Sequence, residues 1–355
     1  MIAQPASQPA SPIEPAQRDA WIMPVPDWQV TLDGKDLTAA LRPILIELTL
    51  SEKRGEEADT IDILLGDEDG KLAIPPATAN LNVALGWKQG TGVAVGLVDK
   101  GKYRVDDVSW GGPPDHVSIT GHAADLTSGL RQRRSVNWTN KTIGDIVKSI
   151  SSRNGLTAMV HASFAGTSIK AIRQQSKSDM AFITALARRY DAVATVKNGA
   201  LIFSPIGAGV TPSGIALPSV EMGRDMCSSW RWNRQKRDEH GAVEAKWHDK
   251  KSGKRHTVKV GSGSNSRTLK RTYSSEADAR AAANGALKRD ARNAATIELQ
   301  LAYGDAALII DQPVTLRGFK SDIDQDKWLI AEISHRIGAG GFTTNVTLDL
   351  QPNAT

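Results

Sequence analysis

Three stretches of this sequence have the residue types and spacing of chemical sites. Residues Gly96 to Tyr103 (GLVDKGKY) nearly match the glycine-rich loop in which backbone N–H groups and a lysine hold a phosphate and a Ser/Thr hydroxyl holds magnesium. Tyr103 stands where that hydroxyl is needed, and strand-like alternation follows where a helix should, so the stretch reads as a hairpin loop. His240, His248 and His256 recur every eight residues, which places them on no common helical face and gives no metal-ligand spacing. The third stretch is basic and rich in tryptophan. From Arg224 to Arg271 there are 14 Lys/Arg against five Asp/Glu, a local net charge of +9 that leaves −4 for the rest of a chain totalling +5. Trp230, Arg231, Trp232, Arg234, Lys236, Arg237 and Trp247 are its candidate interface residues. Cations interleaved with aromatics can hold phosphates and stack bases. Trp230 and Trp232 alternate with Arg231, however, which puts the indoles on one strand face and the cation on the other. That pattern points to core or subunit interface, with an acidic protein face as the partner.

Other chemistry is absent by motif. Cys227 is the sole thiol, so neither an internal disulfide nor a cysteine-rich zinc site can form. There is no nucleophile elbow or paired-carboxylate motif. Glu56-Glu57 and Asp67-Glu68-Asp69 read as solvated turns, and the histidines as surface or strand-end residues. No cofactor or metal is implied. No run of 18 apolar residues exists to span a membrane as a helix.

The elements that would carry these residues fall into blocks. Residues 1–26 form a Pro/Ala-rich leader or arm, with prolines that deny it helix or ladder. From 27 to 125 there are seven strand runs, around Trp28–Leu32, Ile44–Leu50 (with Ile44, Ile46, Leu48 and Leu50 in alternation), Thr60–Leu65, Leu81–Leu85, Val93–Leu97, Tyr103–Asp107 and Val117–Thr120. The period changes in 126–213. Ile143, Ile146, Val147 and Ile150 share one helical face behind a Thr142/Asp145 capping box. A second helix starts near Ser178, and Asn198-Gly199 turns a hairpin. Strands return in 214–241 and 295–355. The basic block 242–294 sits between them and ends in an Ala-rich helix capped by Ser274 or Ser275, with Gly285 as its weak point.

The order and spacing of three passages resemble the contractile-tail phage baseplate hub family, the late control gene D family, which is related to the hub portion of the type VI secretion spike. The first passage is Val30–Asp36 with Glu57–Leu65 and Leu81–Trp87. The second is Arg134–Thr139 leading into the helix Thr142–Asn154, then Gln174–Ser176, Asp179–Ile183, Leu186–Tyr190 and Asn198-Gly199. The third is Trp328–His335, a turn, and Thr343–Leu350. The resemblance implies a mainly β fold with α+β character: two β-barrel domains (27–125; 214–241 with 295–355) joined by an α+β domain (126–213), with 242–294 as an insertion. It implies a homotrimeric, pseudo-sixfold ring that adapts a hexameric tail tube to a trimeric spike, without catalysis. The implied partners are further copies of the chain, the spike and tube proteins, and the tape-measure C-terminus and baseplate wedge proteins. Its place would be the virion tail baseplate, assembled in host cytoplasm, with no sequence-specific nucleic acid and no membrane insertion. A cell-wall hydrolase of the baseplate and a nucleic-acid binder using residues 224–271 remain the alternatives.

Overall fold

Alternation of apolar and polar side chains builds the first block. The structure, a computed structural model, describes residues 21–55, 58–76, 78–123, 128–197, 199–211, 214–234, 241–249 and 252–351. The leader up to residue 20, Glu56-Glu57, Asn198, Lys236, Arg237 and His240 lie outside the described residues. The first strands are β1 (Val25–Leu32), the short β2 (Lys35–Asp36) and, after the single turn α1 (Thr38–Leu41), β3 (Leu45–Lys53), β4 (Thr60–Gly66), β5 (Asn80–Gln89), β6 (Gly96–Gly111) and β7 (His116–Ala123). In β4, Ile61, Ile63 and Leu65 point into a core with Trp28, Val30 and Leu85, while Asp62 faces outward.

Three expectations are corrected here. Val93–Leu97 and Tyr103–Asp107 are not two strands joined by a hairpin loop. Gly96–Gly111 is one strand that follows β5 across a bulge, from Gly86↔Leu97 to Asn80↔Arg104, and Gly101 takes the positive φ of 90° that the irregularity needs. Ile46 does not join Leu48 and Leu50 in the core. The register shifts between Leu45 and Glu47, which reverses the facing and leaves Ile46 44% exposed. Asp67 is not solvated. It is buried, and its carboxylate accepts from Leu72 N–H (2.9 Å) and Trp110 Nε1 (3.2 Å), tying the turn to β6.

The middle block runs α2 (Ser128–Arg131), β8 (Arg133–Thr142), α3 (Ile143–Arg153), β9 (Thr157–Val160), α4 (Ala162–Ala165), β10 (Ser168–Ser178), α5 (Asp179–Arg189), β11 (Ala192–Lys197) and β12 (Ala200–Pro205). The capping box forms as the sequence indicates: Thr142 Oγ1 accepts from Asp145 N–H, and Asp145 Oδ2 from Thr142 N–H, both at 3.0 Å. These bonds hold the Asp145 carboxyl below its ordinary range. Ile143, Ile146, Val147 and Ile150 are buried with Phe182, Ile183 and Leu186 of α5. Strand β10, which pairs with β8, is not legible in the sequence. Of its residues only Ile169 and Gln174 are buried, so it shows no apolar alternation.

The last part holds β13 (Val220–Gly223), β14 (Cys227–Arg234), β15 (Ala242–His248), β16 (Arg255–Gly261), β17 (Ser266–Tyr273), α6 (Glu276–Asn293), β18 (Ala295–Leu301), β19 (Pro313–Arg317), α7 (Ser321–Asp324), β20 (Trp328–Gly338) and β21 (Gly341–Leu350). Ser275 is the N-cap of α6, its hydroxyl accepting from Asp278 N–H. Gly285 is a packing requirement rather than a weak point. A Cβ there would lie 2.6 Å from the Arg189 carbonyl oxygen and 3.1 Å from Asp191 N, so glycine lets α6 close onto the end of α5.

Strands dominate the described residues, which makes the fold mainly β. One sheet runs β14-β18-β21-β20-β3-β4-β7-β6-β5-β1-β2, with β19 joining β20 and β13 joining β19. Pairing of β3 with β20, from Glu47↔Gly338 to Lys53↔Glu332, makes the first and last β blocks one sheet. Among the described residues this path does not close into a barrel. The three strands β16-β15-β17 form a separate sheet under α6, with Val243, Ala245, Ala279 and Ala283 between them.

Candidate assembly surfaces

Buried charge in this fold gathers where the blocks meet. Arg54 follows β3 and reaches into the last block. Its Nη1 lies 2.5 Å from Asp349 Oδ2, its Nη2 donates to the Ile330 carbonyl at 2.9 Å, and its Nε faces Asp311 at 2.5 Å. Arg292 in the last turn of α6 pairs with both Asp191 oxygens, one at 2.8 Å, and its Nε stands 3.9 Å from Asp349. Asp191 and Asp311 both take positive φ, at 57° and 65°, which turns the chain sharply where each carboxylate is presented. Burial works against the Arg54 charge, but Asp311 and Asp349 more than offset it, so the guanidinium is held above its ordinary value. This network ties together β3, the α5–β11 turn, α6 and β21.

A second buried cluster lies where β3 and β20 pair. Glu52 is 7% exposed and pairs with Lys100 Nζ at 2.8 Å, and that ammonium also donates to the Ala306 carbonyl at 3.3 Å. His335 is fully buried. Thr344 Oγ1 accepts from Asp305 N–H and shares a 2.9 Å hydrogen bond with His335 Nδ1, while His335 Nε2 faces Glu52 at 3.8 Å. The Glu52 carboxylate facing Nε2 favours the neutral tautomer with its proton on that nitrogen, in which Nδ1 accepts from the Thr344 hydroxyl. Burial and the Lys100 charge push His335 down to about 3. The expectation of surface or strand-end histidines therefore fails at His335, whose inward phase on β20 is set by neighbours. Trp87 seals the same junction, donating from Nε1 to the Gly304 carbonyl at 2.8 Å and packing on Phe342. Nothing here has the solvent access or the nucleophile–base pairing of an active site. Among the described residues no group of three metal-ligating side chains is found, and no helix is long and apolar enough to cross a membrane.

The outer surfaces come next. Among the described residues β14 pairs only with β18, which leaves one edge of Cys227–Arg234 open. Trp230 and Trp232 stand opposite Leu299 and Ile297, on the core-facing side, and Arg231 stands opposite Glu298. Trp232 packs on the core, with Arg234 over its ring at 5.7 Å and Asp326 facing Arg234 at 3.9 Å. Trp230 reaches the rim and is 43% exposed, clasped between Arg224 (4.5 Å) and Phe319. Trp247 belongs to the other sheet, half-buried and stacked on His256 at 4.9 Å. The candidate residues thus divide between two sheets and two cores and do not make one patch. Near the open edge is an apolar surface that no local sequence pattern marks. Val98 is 38% exposed, Tyr303 48% and Met226 50%, and they line a 340 Å³ cavity together with Trp87 and Leu301.

The model of the phage tail baseplate hub family matches residues 71–341. That span contains the middle block and the insertion whole, the later strands of the first β block (β5–β7) and the last block as far as the start of β21. The chain belongs to the phage tail baseplate hub family. It is 33% identical to a curated relative, the "Probable baseplate hub protein" of Escherichia phage P2, over 94% of this chain and 95% of the relative. The fold resembles that of the 43 kDa tail protein of prophage MuSo2 from Shewanella oneidensis, with a TM-score of 0.64 at 14% identity, covering 91% of this chain and 98% of that one. It also resembles an Escherichia coli component of the type VI secretion system, itself described as similar to T4 tail proteins. That likeness has a TM-score of 0.55 at 11% identity, covering 91% of this chain and 77% of the other. For this hub chain, the buried ionic junctions are the parts that hold the blocks in one arrangement.

Proposed function

We propose that three copies of this hub chain close into a pseudo-sixfold ring that adapts a hexameric tail tube to a trimeric spike, without catalysis. The observation that carries the reading is the single sheet running through both β blocks and ending at an open edge on β14. An unpaired edge beside exposed apolar residues invites pairing with another copy, and a ring satisfies every such edge at a fixed size. On this reading residues 27–125, and 214–241 with 295–355, are barrel-like domains whose closure is completed by the neighbouring subunit. Residues 126–213 form the connecting domain, 242–294 an insertion, and 1–26 a leader or arm. Trp230, with Arg231, Trp232, Arg234, Lys236 and Arg237, belongs to the intersubunit contact, and Trp247 to a separate outward face. The tape-measure C-terminus and baseplate wedge proteins are its further neighbours, with assembly in host cytoplasm preceding incorporation into the tail. The arrangement of charges supports a non-enzymatic role, since the buried ions are spent on joining blocks.

Co-expression with the neighbouring spike and tube proteins, followed by mass photometry and negative-stain imaging, tests this. Rings of three hub chains are expected. A monodisperse monomer that binds neither partner would overturn the reading.

A further inference from the structure

We infer that the cleft between the connecting block and the insertion is a docking site for an acidic segment of a partner protein. Two adjoining cavities, ≈ 330 and ≈ 200 Å³, lie where α5 and β10 face α6 and β17. Six cationic side chains line them: Arg173, Lys177, Arg188, Arg189, Arg271 and Arg289. No carboxylate is among the lining residues of either cavity. Among the acids that reach the group from behind is Asp278, 3.1 Å from Arg189 and already held by the Ser274 and Tyr190 hydroxyls. Arg189 is 9% exposed, lines both cavities, and its Nε has no hydrogen-bond acceptor among the described residues. Burial and the crowding of Arg188, Arg292 and Arg267 hold the Arg289 guanidinium below its ordinary value, although Asp191 acts the other way. Like charges gathered along one cleft repel one another, and an incoming anion relieves that repulsion.

The class of anion follows from the walls. Arginine forks match carboxylate and phosphate alike. A nucleic-acid strand would also need open aromatic faces on which bases stack. Here Trp138 is buried and stacked on Phe182, and Tyr273 is buried with Arg189 over its ring at 4.6 Å. No stacking platform remains, while the cavities have room for a few Glu or Asp side chains. The inference does not depend on the ring, because the cleft is complete within one chain. It also moves the partner-binding cations away from the strand residues 230–237 to a set drawn from both sides of the cleft, four of which lie outside the basic block 242–294.

Fluorescence anisotropy with labelled hexaglutamate, hexaglutamine and hexathymidylate at low salt tests the site on the full chain. Hexaglutamate is expected to bind and hexaglutamine not. Arg173→Ala and Arg271→Ala, both at exposed positions that tolerate truncation, should each weaken hexaglutamate binding roughly tenfold. Lys246→Ala, on the exposed face of β15, should leave it unchanged. Absence of hexaglutamate binding, equal weakening by Lys246→Ala, or tighter binding of hexathymidylate would each overturn the assignment.

Discussion

Replacing Arg54 by methionine keeps the aliphatic stem and deletes the charge that joins the first β block to the last. Asp311 and Asp349 are then left facing each other's field, and the Ile330 carbonyl keeps only its bond from Asp311 N–H. Removing one partner of a buried ion pair costs about 3–5 kcal/mol, because the remaining charge is stranded away from water. The lower end, about 3 kcal/mol, is expected here, since Arg292 still faces Asp349 at 3.9 Å. With a urea dependence of about 3 kcal/mol per molar, the unfolding midpoint followed by circular dichroism should fall by about 1 M. Acidification supplies a second signature. The stranded carboxylates become protonated more readily than in the parent, so the difference between the two proteins should shrink from about pH 7.5 to about pH 5. Adding Asp311→Asn should restore part of the loss at neutral pH, since it removes one of the stranded charges. A midpoint shift below about 0.3 M, or a difference that grows on acidification, would refute the view that this network fastens the blocks together.

Two further outcomes follow. His335 titrates at about 3 in the fold and near 6.5 when unfolded, so below that value the unfolded chain takes up a proton that the folded chain refuses. Stability is complete above about pH 6.5 and falls between there and pH 3, by about 1.4 kcal/mol from pH 7.5 to 5.5; urea titrations of the parent and of His335→Gln should differ by that slope, and equal slopes would remove His335 as the cause. Gly285→Ala places a methyl 2.6 Å from the Arg189 carbonyl and should destabilise by about 1–3 kcal/mol despite alanine's better helix propensity, seen as a lower thermal midpoint; a gain in stability would show that α6 does not need this close approach.

Much of the fold was legible because it rests on local periodicity. The capping box at Thr142, the face Ile143–Ile150 and the alternation in β4 are all written within a few residues, and each is found as read. What was misread depended on partners far along the chain. Ile46 is turned outward by a bulge, and β6 reads as two strands with a loop because its partner β5 carries it across an irregularity. Strand β10 is concealed by its polar side chains. The placement of the candidate surface residues was legible only in part. Tryptophan–arginine alternation told the faces of β14 correctly, but no local pattern says that Trp247 belongs to another sheet. One clue was present and unused: Glu52 continues the inward phase of Leu48 and Leu50, which marks a buried carboxylate in need of a cation.

By itself the sequence determined the mainly β character, the helical middle block, the basic segment and the order of passages that marks a baseplate hub. Tertiary structure alone decided that β3 pairs with β20, that Arg54 meets Asp349 across 295 positions, and that arginines of α5 and β10 share a cleft with those of β17 and α6. The physical reason is range. Turns, caps and facing are set by sterics and hydrogen bonds within a few residues. Pairing of distant strands and compensation of buried charge depend on which surfaces fit once those elements pack.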